Sequence, residues 1–201
     1  MTVSQSDTDA APVDGADPLA DFASAVADAV GGEGSAAFGT VKVKVPADRW
    51  ADAVTAARDT FHLVFLSFLS AIDWSNDVAV GDPLQEGTDE RFEILCTLSD
   101  LSVGRRVTLS TDISKDDARV GSIIDVFPGA GWHEREAHEM FGIVFDGNPD
   151  LSPLYLPDGF QGNPLRKSFP LLSREVKPWP GKVDVEGIPG DDSPSEENPE
   201  A

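Results

Sequence analysis

Two histidines and three charged side chains stand close together in the sequence H-E-R-E-A-H, from His133 to His138. A zinc site of the H-E-x-x-H kind places two histidines four residues apart on one helix face, with a carboxylate as general base. Here the histidines are five residues apart. Five residues turn a helix by about 500°, which leaves the two imidazoles roughly 140° apart around the axis. The spacing therefore predicts no closed metal site, and a hydrolase using Glu134, Glu136 and His138 is a remote alternative.

The single cysteine, Cys96, limits redox chemistry. One thiol excludes an internal disulfide and an iron–sulfur cluster held by this chain alone. Cys96 lies in an alternating apolar run at 92–98, so its side chain is predicted to be buried. The sequence has no G-x-S-x-G turn for acyl transfer and no glycine-rich loop for dinucleotides or phosphates. We therefore expect this chain to bind no flavin, metal or cluster.

The net charge of −21, from 36 acidic and 15 basic side chains, bears on the class of partner. Binding to nucleic acid needs clustered Lys and Arg, and an anionic membrane surface repels an acidic protein. The first residues lack the features of a signal or transit peptide. The most apolar stretch, Phe61 to Trp74, is too short to span a bilayer. We expect a soluble intracellular protein without membrane insertion, which a partner attaches to any membrane that it serves.

The first quarter of the chain predicts two helices with a strand between them. Asp17-Pro18 is a typical helix start, because Asp caps the first turn and Pro fits it, and Gly31-Gly32 is a typical end. Valines alternate with lysines at 41–45, which indicates a half-buried strand. Pro46 opens a second helix. The apolar stripe of that helix is formed by Trp50, Ala53, Val54 and Ala57.

Further along, the alternation of apolar residues predicts paired strands. The run at 62–74 fits a strand, a helix or a piece of each, and 75–90 is typical of a polar loop. Strict alternation at 92–98 and again at 107–109 predicts an antiparallel pair, and a helical stretch follows within 120–142. This order predicts an α+β fold, a two-layer domain with a small mixed or antiparallel sheet and packing helices.

Composition divides the chain into four parts. Acidic tails at 1–16 and 182–201 are predicted to be disordered, and the α+β domain covers 17–145. The part at 146–181 has seven prolines, which exclude a long helix or a central strand. It also carries ten large apolar side chains, which are costly to leave in water. We interpret it as a long irregular arm that packs on another subunit, with folding back onto its own domain as the alternative.

The charges at 134–139 can pair along a helix. Glu134 with His138, and Arg135 with Glu139, stand four residues apart, which is the spacing of neighbours on a helix surface. Gly142 predicts the end of this helix. The alternative is a helix face that is simply solvated. Since Arg135 and Arg166 are isolated cations in an acidic chain, we expect both to act in assembly more than in turnover, each pairing with a carboxylate through its planar guanidinium.

The same region carries a family resemblance. Gly-Asn-Pro occurs at 147–149 and again at 162–164, each time a turn signature. Together with the residues around them, these turns resemble the signature of the 30-kDa subunit (the C subunit) of respiratory complex I. The residues that carry the resemblance are Glu134, Arg135, Glu136, Phe141, Gly142, Gly147, Pro149, Asp150, Leu151, Gly162, Pro164, Leu165, Arg166 and Lys167.

The resemblance implies a function for the assembly and a role for the chain. The family belongs to NADH:quinone oxidoreductase, which passes electrons from NADH through FMN and iron–sulfur centres to quinone, coupled to proton translocation. The 30-kDa subunit is expected to hold no cofactor, because FMN, clusters and quinone belong to partner subunits. It is expected to sit against the 49-kDa-type subunit and other subunits of the hydrophilic arm, on the cytoplasmic side of a bacterial or archaeal plasma membrane.

The chain departs from the family pattern at several positions. Asn148 and Asn163 stand where relatives usually have His, Ser152-Pro153 where they often have two Arg, and His138-Glu139 where an aromatic–Asp pair is common. The same module also occurs in membrane-bound hydrogenases, formate hydrogenlyase and F420H2 dehydrogenase. Such a sister complex is therefore the main alternative, since nothing in the sequence names the electron donor.

Overall fold

Three α-helices and seven β-strands make up the part of the chain that a computed structural model describes, residues 17–76 and 89–170. The tails predicted at 1–16 and 182–201, and residues 77–88 of the predicted loop, lie outside this part. In chain order the elements are α1 (Pro18–Val30), β1 (Glu33–Ala37), β2 (Thr40–Lys44), a short 3-10 helix (Ala47–Arg49), α2 (Trp50–Phe61), β3 (Phe65–Trp74), β4 (Arg91–Asp100), β5 (Arg105–Ile113), β6 (Arg119–Gly121), α3 (Ala130–Phe141) and β7 (Val144–Asp146).

The main sheet has the strand order β1-β2-β5-β4-β3. Its neighbouring strands are antiparallel except β2 and β5, which run parallel. The predicted strand at 41–45 is confirmed as β2, and the predicted antiparallel pair is confirmed as β4 and β5, with Cys96 opposite Leu109. β1 was not predicted, because its sequence Glu-Gly-Ser-Ala-Ala does not alternate between apolar and polar residues. β6 and β7 form a separate parallel pair.

The run at 62–74, where the sequence left strand and helix open, is the edge strand β3. Its pairing with β4 shifts between Leu66 and Phe68, at a bulge. A bulge moves the alternation of side chains by one residue, so the apolar pattern loses its period of two. The hydroxyl of Ser67, in the bulge, donates to the Thr97 carbonyl at 3.0 Å.

The first helix begins and ends where the sequence predicts, and the second follows Pro46 through the short 3-10 helix. Asp17 Oδ1 accepts the Leu19 N–H at 3.0 Å at the start of α1, and Gly31, with φ 69°, closes the helix in the left-handed conformation. The apolar stripe of α2 is buried, which confirms the prediction for Trp50, Ala53, Val54 and Ala57.

The core lies between the helices and one face of the main sheet, as an α+β two-layer fold requires. Cys96 is fully buried in it, as predicted. The other face is polar: Lys42 Nζ lies 2.5 Å from Glu93 Oε1, and Trp74 Nε1 donates to Glu93 Oε2 at 2.9 Å. Burial raises the pKa of Glu93, but the hydrogen bonds from Lys42 and Trp74 outweigh this and hold it below its ordinary value.

After β7 the described chain forms neither helix nor strand as far as residue 170, in keeping with its prolines. This segment is irregular, as predicted, but it does not leave its domain. Between 147 and 167 its backbone and side chains hydrogen-bond to α3 and to β3. In this stretch, folding back onto the domain is therefore the better interpretation. The predicted residues 171–181 lie outside the described part, and partner binding by this segment stays a prediction.

Candidate partner interface

The helix α3 carries the first part of the family signature, Glu134, Arg135, Glu136 and Phe141, and presents two different faces. It ends at Gly142, whose φ of 75° is left-handed and whose N–H donates to the His138 carbonyl at 2.7 Å. Phe141 is buried and packs edge-on against Phe92, with ring centroids 6.2 Å apart. Trp132, near the start of the helix, is 61% exposed. One side of α3 is thus fixed in the core while the other reaches the surface.

Glu134 is fully buried in the middle of α3. Its Oε1 accepts the Ile123 N–H at 2.7 Å, and its Oε2 accepts from Ser122 Oγ and Asn148 Nδ2, each at 2.7 Å. The three donors come from the turn after β6 and from the first Gly-Asn-Pro turn. A buried carboxylate must be satisfied in this way, because its desolvation is costly. Glu134 therefore joins three segments of the chain.

Glu139 holds the next part of the loop. This side chain is 8% exposed, and its carboxylate accepts the backbone N–H groups of Leu154 at 3.2 Å, Tyr155 at 2.9 Å and Leu156 at 2.7 Å. Burial raises the pKa of Glu139, but these three N–H groups outweigh it and hold the pKa below its ordinary value. Three successive donors fix the direction of the loop at these residues.

Neither predicted pair forms a direct ion pair, because loop donors and acceptors take the charged groups instead, although the charge of Arg135 still helps to lower the pKa of Glu139. Glu134 does not pair with His138, whose Nδ1 donates to the Ile143 carbonyl at 2.8 Å. Arg135 donates to two loop carbonyls, from Nε to Ser152 and from Nη2 to Pro153, each at 2.9 Å. The solvated-face alternative is also wrong for Glu134 and for Glu139, which are both buried.

The second Gly-Asn-Pro turn closes over the end of α3. Asn163 Nδ2 donates to the Glu139 carbonyl at 2.9 Å, and the Leu165 N–H donates to the Met140 carbonyl at 3.1 Å. Arg166 Nε donates to the Phe141 carbonyl at 2.6 Å, and its guanidinium lies over the Phe92 ring, 5.4 Å from the centroid. These donors satisfy carbonyls that the last turn of a helix leaves without partners.

Gly142 is needed where this turn meets the helix. A Cβ at this position would lie 2.5 Å from Arg166 Nη2 and 2.9 Å from Asn163 Oδ1. Gly147 and Gly162, with φ of 97° and 92°, also adopt the left-handed conformations that favour glycine. The glycines of the signature thus serve the backbone, as their turn pattern predicts.

Lys167 links the loop to β3 through its backbone. Its N–H donates to Asp73 Oδ2 at 2.9 Å, and Lys115 Nζ lies 2.8 Å from Asp73 Oδ1. Asp73 is 3% exposed. Sequence reasoning missed this residue, because a single Asp at the end of an apolar strand has no spacing pattern to read.

The first turn is also held by its own side chains. Asn148 Oδ1 accepts the Asp150 N–H, and Asp150 Oδ1 accepts the Ser152 N–H, each at 2.9 Å. Hydrogen bonds from Ser152 lower the pKa of Asp150. Leu151 packs against the core, whereas Pro149 is exposed.

Four large apolar side chains remain exposed around α3 and the loop. Glu136 and His133 line a shallow recess beside two of them. We name this group the α3–loop surface, formed by Trp132, Tyr155, Phe160 and Leu165. Arg135 lies over the Trp132 ring, 5.2 Å from its centroid. The signature residues thus build a held scaffold, and the exposed side chains are its outer face.

The residues proposed for a remote hydrolase are not collected around one cavity. Glu134 is bound by the Ser122 region, the His138 ring is bound to Ile143, and Glu136 faces the recess beside Trp132. Within the described ranges there is no group of three or more His, Cys, Asp or Glu side chains that could hold a metal ion. Burial raises the pKa of the Cys96 thiol, and the charge of Glu134 adds to this.

Two asparagines show what sequence reasoning missed. Asn148 and Asn163 stand where relatives usually have His, and each uses its amide N–H to hold α3, at Glu134 and at the Glu139 carbonyl. Imidazole can also donate a hydrogen bond, so the substitution keeps a donor. The repeated Gly-Asn-Pro pattern predicted the two turns, but it did not predict which groups of α3 the Asn side chains would bind.

Comparison with known proteins identifies the family. The model of the family "Respiratory-chain NADH dehydrogenase, 30 Kd subunit" matches residues 43–175. The chain is 37% identical over 139 residues to the C subunit of NADH-quinone oxidoreductase from Rhodopseudomonas palustris strain TIE-1, covering 68% of this chain and 62% of the relative. It is 35% identical over 146 residues to the C subunit from Roseiflexus castenholzii strain DSM 13941 / HLO8, covering 71% of this chain and 78% of the relative. The match thus spans about three fifths of the Rhodopseudomonas protein.

Two solved structures share the fold. The trypsin-resistant fragment (1-134) of Nqo5 superposes with a TM-score of 0.53 at 26% identity, covering 66% of this chain and 99% of the fragment. A chain of the membrane-bound sulfane sulfur reductase, an archaeal respiratory membrane complex, superposes with a TM-score of 0.62 at 20% identity, covering 84% and 98%. In the described part of this chain, no helix has the length and apolar character to cross a membrane. The chain belongs to the family of the 30-kDa subunit of respiratory-chain NADH dehydrogenase, the C subunit of NADH-quinone oxidoreductase.

Proposed function

We propose that this chain is a structural subunit, without cofactor, of a proton-translocating NADH-quinone oxidoreductase. In this proposal other subunits bind FMN, iron–sulfur centres and quinone, and carry electrons from NADH to quinone. The chain joins the 49-kDa-type subunit through the α3–loop surface, on the cytoplasmic side of a bacterial or archaeal plasma membrane. Family membership supports the complex, and the geometry around α3 supports the role.

One observation carries the structural role: four charged side chains of α3 and of the loop are occupied within the chain. Glu134 and Glu139 accept donors of the turn and loop, while Arg135 and Arg166 donate to backbone carbonyls. A general acid or base must have an atom free toward a substrate. These four side chains instead fix the backbone of the loop and of the end of α3, and this backbone carries the α3–loop surface.

The surface itself suits a protein partner. Aromatic side chains are enriched in the buried centre of protein interfaces. Trp132 and Tyr155 are 61% and 64% exposed, on a backbone that hydrogen bonds already fix. A rigid surface loses little conformational entropy when it binds, which favours affinity.

The predicted assembly role of Arg135 and Arg166 takes a different physical form. The sequence suggested that each Arg pairs with a carboxylate. In the structure Arg135 donates to the Ser152 and Pro153 carbonyls, and Arg166 to the Phe141 carbonyl. Both arginines therefore support assembly through the shape of the loop, in this proposal.

Co-purification with the 49-kDa-type subunit of the same organism tests the proposal. We expect the Trp132→Ala/Tyr155→Ala double variant to retain at least ten-fold less of that subunit than the unchanged chain, with its thermal unfolding unaltered. Ile72→Ser serves as a control, because Ile72 is exposed on β3 and is not part of the α3–loop surface. Undiminished recovery of the 49-kDa-type subunit, or a complex that assembles normally without activity, contradicts the proposal.

The cofactor-free part of the proposal has its own test. The full chain, expressed alone, is examined for iron and zinc by metal analysis and for flavin by its visible spectrum. We expect less than about one-tenth equivalent of any of them. A stoichiometric metal or a flavin absorbance rejects this part and leaves the family unaffected.

A sister complex is the second candidate, because the same fold also occurs in a complex of another name. The sulfane sulfur reductase chain shares the fold over 84% of this chain, at an identity that carries no information on the electron donor. The complex is purified through a tag on this chain and supplied with NADH, hydrogen, formate or reduced F420. Reduction of quinone by NADH supports the first candidate, and activity only with another donor supports the second.

A further inference from the structure

The exposed large apolar side chains of the described residues fall mainly into two groups. Four form the α3–loop surface, and two more, Phe68 and Ile72, lie along β3. The other six lie elsewhere, at one end of the main sheet. We name them the hairpin-end patch: Leu19, Phe38, Val64, Phe65, Leu101 and Val103. Large exposed apolar groups that gather in one place mark an interaction site more often than scattered ones do.

The pairing of the strands places this patch at a single end of the sheet. The β1–β2 hairpin turns at Phe38-Gly39, and the β4–β5 connection turns between Asp100 and Arg105. β2 and β5 run parallel, so both turns lie at the same end. Phe65 pairs with Ser99, which brings the start of β3 to that end as well.

The α3–loop surface is tied to the opposite end of the sheet. Lys167 is bound to Asp73, and Asp73 pairs with Phe92 near the start of β4. Seven residues along β4 separate Phe92 from Ser99. At a rise of 3.2–3.4 Å per residue this is roughly 23 Å. The two apolar surfaces are therefore separate.

Phe38 is the most informative residue of the patch. Its side chain is fully exposed, and its φ of 50°, followed by 71° at Gly39, places both turn residues in the left-handed conformation. Such hairpin turns favour Asn-Gly, because a bulky side chain is strained at the first position. Phe38 therefore destabilises its own turn and gains no burial in this chain. A contact outside the chain accounts for both facts.

The turn between β4 and β5 also carries residues that are unfavourable at an exposed turn. Leu101 and Val103 are 69% and 61% exposed, in a turn where polar residues are the rule. Gly104, with φ 70°, completes that turn. Two neighbouring turns that both carry large apolar side chains at their tips make one continuous surface.

Two cations edge the patch. Arg105 and Arg106 are exposed, and neither forms an ion pair with any described residue. The guanidinium of Arg105 lies over the Phe22 ring, 5.2 Å from the centroid. The nearby Asp100 is 6% exposed and bound by Ser102. In a chain of net charge −21, two adjacent arginines without ion pairs in the described ranges, beside apolar groups, form a surface that attracts carboxylates.

We propose that the hairpin-end patch is a second docking surface, for a neighbouring protein subunit that presents an apolar recess edged by Asp or Glu side chains. The inference rests on the proposed function, because it takes the chain to act inside a multi-subunit complex. With one docking surface at each end of the sheet, the chain bridges two subunits. An anionic membrane does not fit, because it repels a chain of charge −21. A second copy does not fit, because it brings another Arg105-Arg106 pair to the same surface.

Crosslinking in the assembled complex tests the occupant. Phe38 is replaced by the photoreactive analogue p-benzoylphenylalanine in the full chain, the complex is purified through a tag on another subunit, and crosslinked peptides are sequenced. We expect a crosslink to an Asp- or Glu-containing segment of a neighbour other than the one bound at the α3–loop surface. A crosslink to lipid, to a second copy or to that same neighbour overturns the inference, and so does no crosslink at all.

Substitutions separate the two surfaces. We expect Arg105→Glu/Arg106→Glu and Leu101→Ser/Val103→Ser to lower incorporation into the complex at least five-fold, while binary co-purification with the 49-kDa-type subunit stays intact. Trp132→Ala/Tyr155→Ala, in contrast, is expected to reduce binary co-purification with the 49-kDa-type subunit. If the hairpin variants also abolish the binary pair, or leave incorporation unchanged, the second surface does not exist. The result for the Trp132→Ala/Tyr155→Ala variant tests only the proposed function of the α3–loop surface and does not bear on the hairpin-end patch.

Phe38→Asn is expected to change Tm and incorporation into the complex in opposite directions, which a purely structural role of Phe38 does not predict. Asn fits the left-handed turn, so the isolated chain is expected to gain about 2–4 °C in Tm. Incorporation is expected to fall at least three-fold, because the aromatic contact is lost. Ile72→Ser, at a position outside both surfaces, is the control; it should leave incorporation unchanged and should not raise Tm. A rise in both Tm and incorporation overturns the inference.

Discussion

Glu134 Oε2 and Asn148 Nδ2 lie 2.7 Å apart, so the first turn of the loop is bound to a carboxylate in the middle of α3. Glu134 has no ion-pair partner among the described residues and is satisfied by neutral donors alone. The donors belong to segments that are far apart in sequence. The buried carboxylate therefore connects the domain to its loop, and several of its consequences are measurable.

Replacing Glu134 by Leu is expected to lower the free energy of unfolding by roughly 2–4 kcal/mol. The change leaves the buried Ile123 N–H and the half-buried Asn148 amide without their acceptor, and each unsatisfied group costs about 1–3 kcal/mol. Urea denaturation of the full chain measures the change. Glu136→Leu is the matched control on the same helix, because Glu136 is half-exposed and should change stability by less than about 0.5 kcal/mol. Equal effects of the two substitutions contradict the connecting role.

Replacing Glu139 by Gln is expected to change how stability depends on pH. The pKa of Glu139 in the folded state lies below its ordinary value of 4.5, because three backbone N–H groups outweigh the effect of burial. The unfolded chain then binds the proton more readily, so this contribution is present above about pH 4.5 and is lost as the pH falls through the folded pKa.

At pH 7 the Glu139→Gln variant should therefore be less stable than the unchanged chain by about 1–3 kcal/mol. The difference should shrink as the pH is lowered from 5 toward 3. Urea denaturation of both chains across this range, with Glu136→Gln as the control, measures it. A difference that stays constant with pH shows that the carboxylate charge is not what holds Leu154, Tyr155 and Leu156.

Two glycines of the signature separate backbone strain from steric contact. Gly142→Ala and Gly147→Ala both place a Cβ on a left-handed backbone, at φ 75° and 97°. At Gly147 the nearest atom to that Cβ is 3.9 Å away, in Ser122, whereas at Gly142 Arg166 Nη2 is 2.5 Å away. We expect a loss of about 1 kcal/mol at Gly147 from strain alone and of about 2–3 kcal/mol at Gly142.

The steric part at Gly142 has a second readout. To make room, Arg166 must leave the Phe141 carbonyl, so limited proteolysis with trypsin should cut after Arg166 or Lys167 faster in Gly142→Ala than in Gly147→Ala. The same cutting rate in both variants means that the turn adjusts without releasing Arg166.

The sequence predicted those elements whose residues alternate between two environments. The apolar residues Phe92, Ile94, Cys96 and Leu98 stand two apart along β4 and are all buried, so the period of two was readable. β3 lies at the sheet edge and contains a bulge, so its period of two could not be recognised in the sequence. β1 forms because it pairs with β2 in a hairpin, and its own sequence has no apolar alternation that would predict a strand.

The candidate interface was located by sequence but its contacts were not. The spacing of Glu134, Arg135, Glu139 and His138 permits pairs within the helix, and helix geometry alone favours them. The structure shows that donors from residues 148–156 displace these pairs. Backbone N–H groups of a loop lacking regular structure have no other partners, and a buried carboxylate offers several lone pairs to them. This competition depends on where the loop goes, which no local pattern specifies.

Removing the loop gives the last prediction. A chain ending at residue 170 keeps every contact described for 147–167, and a chain ending at residue 146 loses them all. We expect the shorter chain to be less stable by at least about 4 kcal/mol, because Glu134 and Glu139 lose their loop donors and Leu151 leaves the core. Urea denaturation of the two truncated chains gives the difference. The double substitution Glu134→Gln/Glu139→Gln in the chain ending at 170 is the control, since it weakens the same contacts with the loop still attached. If the chain ending at 146 unfolds cooperatively with the same free energy, the loop contributes nothing to its own domain, and the interpretation as an arm that packs mainly on another subunit is restored.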